Sequence, residues 1–489
     1  MLREFRKTKW YGGLSDSVYT PTDTTFEKGY NVDIFSNPGV AQISPLVSKE
    51  SGAVVTDLCN FAFIGSDGSS YWFSSGGKVY KRTSAGTWTN VYTDAGGAIL
   101  GAAEYNGYVF WATDTKLHCI TIANAGSENP WATIDGIAGF PKTLTSSAWH
   151  PMVVQSIYLN IGNANTIATV DDLGTFTSSG TPDVTLLTLK TRNNITCLIA
   201  YGEDILAGTQ YDINTTVTPN VARTGYLCRW DMASEAFISI TEVPDNGVYA
   251  LGIFENTAIA FCGLSGGIYT FDGTNVNKIK KIPMVYTSSP TPSNYYYVNP
   301  GNVTNFKGKL IFGGKASGFD SAIFEIGRVK YGYPLALSPT YAPSNVLTYS
   351  FGAVVSIGNT FLISSLSPAA DYGVWSMSTA YVATEGGIYF EVPGDVEKNK
   401  TYLEYAIGWT GGTAFTGTIT GSAYTDIFTT IQSLAGSTID EGYKIYYQKK
   451  IITRLMLFYL KWVFSGSTAV GSNKAIDSFY TKWTEDEKL

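Results

Sequence analysis

Two histidines in 489 residues leave little material for imidazole chemistry. His118 stands in an apolar strand pattern beside Cys119, and His150 lies between Trp149 and Pro151. Neither has a second histidine at metal-binding spacing, so both read as packed or turn residues rather than ligands. The five cysteines (Cys59, Cys119, Cys197, Cys228 and Cys262) are odd in number and widely spaced, with no C-x-x-C. That pattern is neither a zinc site nor a disulfide framework. Cys119, Cys228 and Cys262 sit within apolar strand patterns, which marks free buried thiols folded in a reducing compartment. The carboxylates Asp171-Asp172, Glu203-Asp204 and Asp371 fall at turn positions and read as solvated turn residues. Phosphate-loop, dinucleotide, H-E-x-x-H and G-x-S-x-G patterns are absent. The sequence therefore assigns no catalytic, cofactor-binding or metal-ligating residue.

Two other patterns are equally plain. Asn194, Asn214, Asn302 and Asn399 head N-x-[ST] triplets, which arise by chance in a chain this rich in Ser and Thr. Lys278-Ile-Lys-Lys281 is a short basic run flanked by neutral residues and reads as a solvated strand end.

The composition says what such residues would be mounted on. Charged residues are 15%, aromatics 14% and apolar residues 44%, with 51 Gly and 33 Tyr. Scarce charge with abundant Gly, Tyr, Thr and Ser is the material of strands and turns, not of soluble helices. A net charge of −7 argues against a protein that coats nucleic acid or binds membranes through basic residues. No sequence-specific nucleic-acid partner is expected. The N-terminal ten residues contain no apolar core of a signal peptide. Residues 451–464 (IITRLMLFYLKWVF) are too short for a spanning helix and are interrupted by Arg454 and Lys461, so they predict a buried strand or short strand pair and no transmembrane segment.

One small unit recurs along the chain: an apolar or aromatic residue, a tight polar turn, an apolar strand, then small residues. It appears as Tyr105–Thr113, Tyr201–Thr209, Phe254–Cys262, Phe306–Gly314 and Ile357–Ser365, with a looser copy at Ser66–Ser74. Turns rich in Gly, Asn and Asp between apolar runs predict hairpins. Further strands follow each copy, and equivalent turns lie about 50 residues apart from Glu203 through Asn256 and Gly308 to Asn359. Units of this length with up to four strands are β-propeller blades. Ser156–Ile161 with Thr166–Val170 fills the double gap between Gly107 and Glu203. The expected fold class is all-β: a propeller of about seven blades over residues 53–386, preceded by an extended N-terminal arm over 1–52 and followed by a small C-terminal β-sandwich over 387–489. The arm is expected to end by adding a strand to the propeller; its basic head (Arg3, Arg6, Lys7, Lys9) suits an acidic neighbour or a solvated tail. A helical patch around 426–434 is the one exception to the strand pattern.

Periodic Trp-Asp pairs, Asp boxes and double-Gly kelch motifs are missing; Trp230-Asp231 is the sole Trp-Asp pair. The segments Trp10–Asp16, Gly29–Val40, Lys49–Gly52 and Ser66–Ser75, with the hairpin Ala103–Thr113, resemble virion-associated tail proteins of tailed bacteriophages. Such proteins can join an arm, a propeller and a β-sandwich, so the resemblance covers nearly the whole chain while transferring no functional residue. It implies a non-enzymatic structural component without cofactor, assembled in the host cytoplasm into the virion. Its partners would be copies of itself, as a homo-oligomer, and neighbouring tail subunits. Two other readings stand beside it: a propeller that binds or cleaves host surface glycan, and a cytosolic scaffold of WD type. Cleavage would require carboxylates from several inner strands to converge in the propeller cavity.

Overall fold

In the computed structural model, residues 2–15, 24–122, 142–211, 224–282, 298–342, 349–391, 399–410, 417–424, 430–438, 444–453, 457–464 and 475–486 are described, apart from 27, 95, 173–174, 178–188, 190–192, 235, 246, 264–265, 317–318, 368, 370 and 384. No α-helix occurs among them. Of the helical patch expected at 426–434, residues 430–434 belong to the strand Thr430–Thr438 and the rest lie outside the described residues.

The local rule that builds the fold is the tight hairpin. Tyr105↔Tyr108, Gln155↔Tyr158, Tyr201↔Asp204, Phe254↔Thr257, Phe306↔Lys309 and Ile357↔Thr360 are the last pairs before two-residue loops. In three of these loops both residues have positive φ: Asn106-Gly107 (49° and 75°), Glu255-Asn256 (49° and 63°) and Lys307-Gly308 (49° and 73°). That is the mirror-image turn whose twist matches the strands it joins, and Asn and Gly tolerate it best.

Five such hairpins and the wider one at Gly65–Ser69 each open a four-stranded antiparallel sheet. Five sheets follow one another along the chain, over 59–93, 101–143, 152–177, 193–243 and 248–281. The last blade comprises Ser350–Ile357, Thr360–Leu366 and Tyr372–Val382, with Pro45–Lys49 as its outer strand. Glu50 N donates to Val374 O at 2.8 Å where the chain leaves that outer strand. The first strands of the six blades, together with Val303–Phe306, are neighbours in cyclic order, the last returning to the first. This is a β-propeller. The expectation of about seven blades is corrected to six four-stranded ones, because after the hairpin Val303–Phe306/Lys309–Ala316 the chain passes into a second compact unit.

Packing explains why the second strand of most blades is apolar almost throughout. Ser70–Ser74 is wholly buried, and Tyr108–Ala112, Tyr158–Asn163 and Thr257–Cys262 are buried after their first residue. Each is covered on both faces by neighbouring blades, so the in–out alternation of a half-exposed strand is lost. Phe61, Phe73, Val109 and Trp111 join the first and second blades, and Leu206, Leu227, Ala258 and Phe271 the fourth and fifth. At the closure, Cys59, Trp72 and Trp88 meet Ala353, Leu362 and Val374.

The second unit contains residues 1–48, 316–347 and 377–489, a division that departs from the linear arm–propeller–sandwich order. Residues 2–7, expected in an extended arm, pair antiparallel with the strand Ala475–Asp486, from Leu2↔Thr484 to Lys7↔Phe479. Lys28–Tyr30 pairs with Glu385–Glu391, and Ala41–Ile43 with Ala475-Ile476. Asn399–Thr410 lies between Lys444–Thr453 and Ala475–Asp486, while Leu457–Phe464 lies between Glu385–Glu391 and Gly417–Tyr424. The run 451–464 thus turns out to hold the end of one strand and the whole of another. Lys7, expected in a basic head, is buried: its Nζ donates to Thr25 O at 2.6 Å and stands 4.9 Å from the Trp10 ring centre.

The tightest backbone approach at the closure is at Gly352, where a Cβ would lie 2.0 Å from Cys59 O. Gly352→Ala is expected to lower stability by about 1–3 kcal/mol in urea unfolding, the usual cost of overpacking. A loss under about 0.5 kcal/mol, the range of neutral surface changes, would contradict this view of the closure.

Candidate functional site

All seven inner strands of the ring line one central cavity of about 830 Å³. Its wall includes Ile64, Met152, Val154, Cys197, Leu251 and Val355, with Thr304 and Ser356 among the polar side chains. Glu104 is the one charged residue among the described residues of the lining. Its Oε2 accepts a hydrogen bond from Ser66 N at 2.7 Å, which ties the strand end of the second blade to the turn of the first.

Hairpin register shows how singular Glu104 is. It pairs with Val109, one position before the last pair of its hairpin, where the other inner strands place Val154, Ala200, Ile253, Asn305 and Ser356. Among the described residues, carboxylates do not converge in the cavity. Sequence reading passed over Glu104, although aligning the hairpins on their turns would have shown one charge in an otherwise uncharged layer.

The residues singled out by type are engaged elsewhere. His118 is buried against Trp111, with ring centres 5.4 Å apart and planes 6° from parallel. Its Nε2 lies 3.3 Å from Asp94 Oδ2, which also accepts from Trp111 Nε1 at 2.9 Å. Burial pushes the imidazole below its ordinary value and Lys116 adds to this, against the pull of Asp94, so the neutral ring is favoured. His150 is fully buried, with Nδ1 2.7 Å from Gly162 O and Nε2 2.9 Å from Asp114 O. It braces the second and third blades. Among the described residues no group of three or more His, Cys, Asp or Glu is placed to hold a metal.

The turn carboxylates cap their own turns. Asp231 Oδ1 accepts from Ala233 N and Ser234 N at 3.0 and 2.7 Å, and Asp272 Oδ1 from Thr274 N and Asn275 N at 2.9 and 2.7 Å. These bonds, led by the Ser234 hydroxyl at Asp231 and the Asn275 amide at Asp272, hold both carboxyls below their ordinary values. Asp171 accepts from Thr175 N at 2.7 Å, Asp204 pairs with Arg229, and Asp371 pairs with Lys49 at 2.6 Å. Asp204 and Arg229, with Glu203 and Tyr201, line a second, smaller cavity of about 430 Å³. Asp204 and Arg229 offset each other's charge, and Glu203 leaves the described wall net negative.

Among the triplet asparagines, Asn302 is buried, its amide donating to Gly313 O and accepting from Gly313 N, both at 2.9 Å. Asn194 lies in the strand Asn193–Tyr201; Asn214 lies outside the described residues. Lys278 and Lys281 stand on the outer strand of the fifth blade, where edge lysines oppose strand addition. The described indoles of Trp10, Trp72, Trp88, Trp111, Trp230 and Trp483 are buried. The aromatic excess in the described residues is therefore largely core material.

No protein-family model matches the chain, and no curated protein matches it. Among solved structures it is similar in shape to the WD40 β-propeller domain of Doa1 (13% identity, 67% of this chain and 96% of that one, TM-score 0.45). It is also similar to the β-propeller domain of Cps50 (Swd1) from Myceliophteria thermophila (10%, 67% and 100%, TM-score 0.46) and to the computationally designed Ika8 protein (14%, 75% and 96%, TM-score 0.41). The propeller assignment rests on the ring of sheets itself. No helix among the described residues is long and apolar enough to cross a membrane.

All five thiols are buried, and burial pushes Cys59, Cys119, Cys197 and Cys228 up to about 12 and Cys262 well above its ordinary value. The native protein is expected to leave Ellman's reagent unreacted at pH 8 and to release five equivalents once unfolded in urea. The folded state holds these protons more tightly than the unfolded chain, so the stabilisation is full below about pH 8.5 and declines as pH rises toward 12. A thiol reacting rapidly in the folded protein would contradict the burial.

Proposed function

We propose that this chain is a non-enzymatic structural component of a bacteriophage virion, placed in the tail and acting through protein–protein interfaces in several copies. The carrying observation is the central cavity. Where a propeller hydrolase gathers carboxylates, the described residues of this cavity include Glu104 alone, and the histidines, cysteines and turn aspartates are engaged in holding the fold. The assignment to a virion is supported by the likeness of residues 10–16, 29–40 and the first hairpins to phage tail proteins. A net charge of −7 also suits a conduit that must not retain DNA.

On this reading the two sheets of the second unit form the expected sandwich. Support for the sandwich comes from Phe390 of one sheet, edge-on to Phe479 of the other with ring centres 4.7 Å apart. Contact surfaces would draw on Tyr331 and Tyr381 of one unit and on Ile238 and Ile240 of the propeller, all solvent-exposed. Glycan binding through stacked indoles has less support, since Trp10, Trp72, Trp88, Trp111, Trp230 and Trp483 are buried and Trp149 and Trp375 half-buried.

Purified particles from cells expressing the chain with its phage genome provide the test. Quantitative mass spectrometry is expected to find it at a fixed multiple of copies per particle, and light scattering of the isolated protein to find an oligomer. Absence from particles together with a monomer in solution would overturn the proposal.

A further inference from the structure

We propose that the central cavity is a binding site for a small organic ammonium, a cationic nitrogen carried on an apolar body. The space, about 830 Å³, lies within the range of about 300–1,000 Å³ typical of small-molecule pockets. Its chemistry is also of that kind: an apolar wall with one fixed charge.

The charge is poised to accept. Ser66 N holds Glu104 Oε2 at 2.7 Å and so orients the carboxylate, while a carboxylate's remaining lone pairs can take further donors. Among the described residues no lysine or arginine lines the cavity, so no described cation of the wall neutralises Glu104. An N⁺–H donor would make a charge-assisted hydrogen bond there. A neutral alcohol of the same shape can return one hydrogen bond to the carboxylate but brings no charge and fewer donors, and an anion would be repelled.

The apolar part of the ligand has its own complement. Ile64 and Val154, both in the cavity wall, are 42% and 38% exposed, and Ile157 on the adjoining turn is 49% exposed. Ile64 is the last residue, and Val154 the last but one, of the inner strands on either side of the one that carries Glu104. A ligand whose ammonium reaches Glu104 can therefore cover these side chains with hydrocarbon, which removes apolar surface from water.

The test is calorimetric titration of the full-length protein with hexylammonium, hexanol and hexanoate at pH 7. Hexylammonium is expected to bind at least about tenfold more tightly than hexanol, as for one hydrogen bond to a charged group, with hexanoate weakest. Glu104→Gln should abolish the preference of hexylammonium over hexanol, whereas Glu203→Gln on the exposed turn of another blade should keep it. Val154→Lys, which sets a tethered ammonium beside Glu104, should block hexylammonium without any loss of the carboxylate. Far-ultraviolet circular dichroism and urea midpoints verify that each variant is folded. Equal binding of hexylammonium and hexanol, no binding of hexylammonium, or an unchanged preference in folded Glu104→Gln would each overturn the proposal.

Discussion

A ring must close, and everything else in the propeller depends on the seam where the last blade meets the first. A closed ring gives every blade two neighbours, so each second strand can be apolar on both faces without exposing either. At the seam Cys59 N donates to the Ser364 hydroxyl at 2.9 Å, across 305 residues of chain. Trp72, Tyr80 and Trp88 of the first blade share a core with Val355, Leu362 and Val374 of the last. Charge supports the same junction. Glu50, just beyond the outer strand of the last blade, receives the Arg82 guanidinium at 2.5 Å and the Trp88 indole at 3.0 Å. Closing so long a loop costs conformational entropy, which a packed seam with satisfied polar groups offsets.

What was legible in the sequence was what is local. Asn106-Gly107, Lys307-Gly308 and Glu255-Asn256 announce hairpins because so few residues accept their backbone angles, and the regular return of such turns announces blades. The count of like blades was not legible. Phe306–Gly314 carries the same hairpin signal as its neighbours, and nothing in those residues tells that the following strands belong to another unit. Residues 1–52 were hardest to read. Their strands are short and find partners hundreds of residues away, as in Leu2↔Thr484 and in the bond from Ala342 N to the Asn31 side chain at 2.7 Å. Pairing at such distance leaves no period in the chain. Lys7 shows the same limit: among basic neighbours it reads as solvated, yet a carbonyl and an indole satisfy it in the core.

The site followed a different logic. Residue type pointed to histidine, cysteine and paired acids, and these proved to include a brace at His150, core thiols, a turn cap at Asp171 and an ion pair at Asp204. Glu104 gave no signal by type, only by position, since a half-buried charge in an uncharged layer is visible once the hairpins are superposed on their turns. The aromatic residues invite a similar revision. They look like material for interfaces, but Trp72, Trp88, Trp111 and Trp230 bind blade to blade.

The central claim is that the closed ring is one cooperative body whose chemistry-bearing residues are engaged in keeping it shut. Native-state hydrogen exchange measures this directly, because strands that open only with the whole body share its global unfolding free energy. The amides of Cys59–Ile64 and Ser350–Ile357 at the seam are expected to be as protected as those of Gly101–Tyr105 and Val248–Phe254 within the ring. Seam amides that exchange through a separate opening of much lower free energy would contradict it.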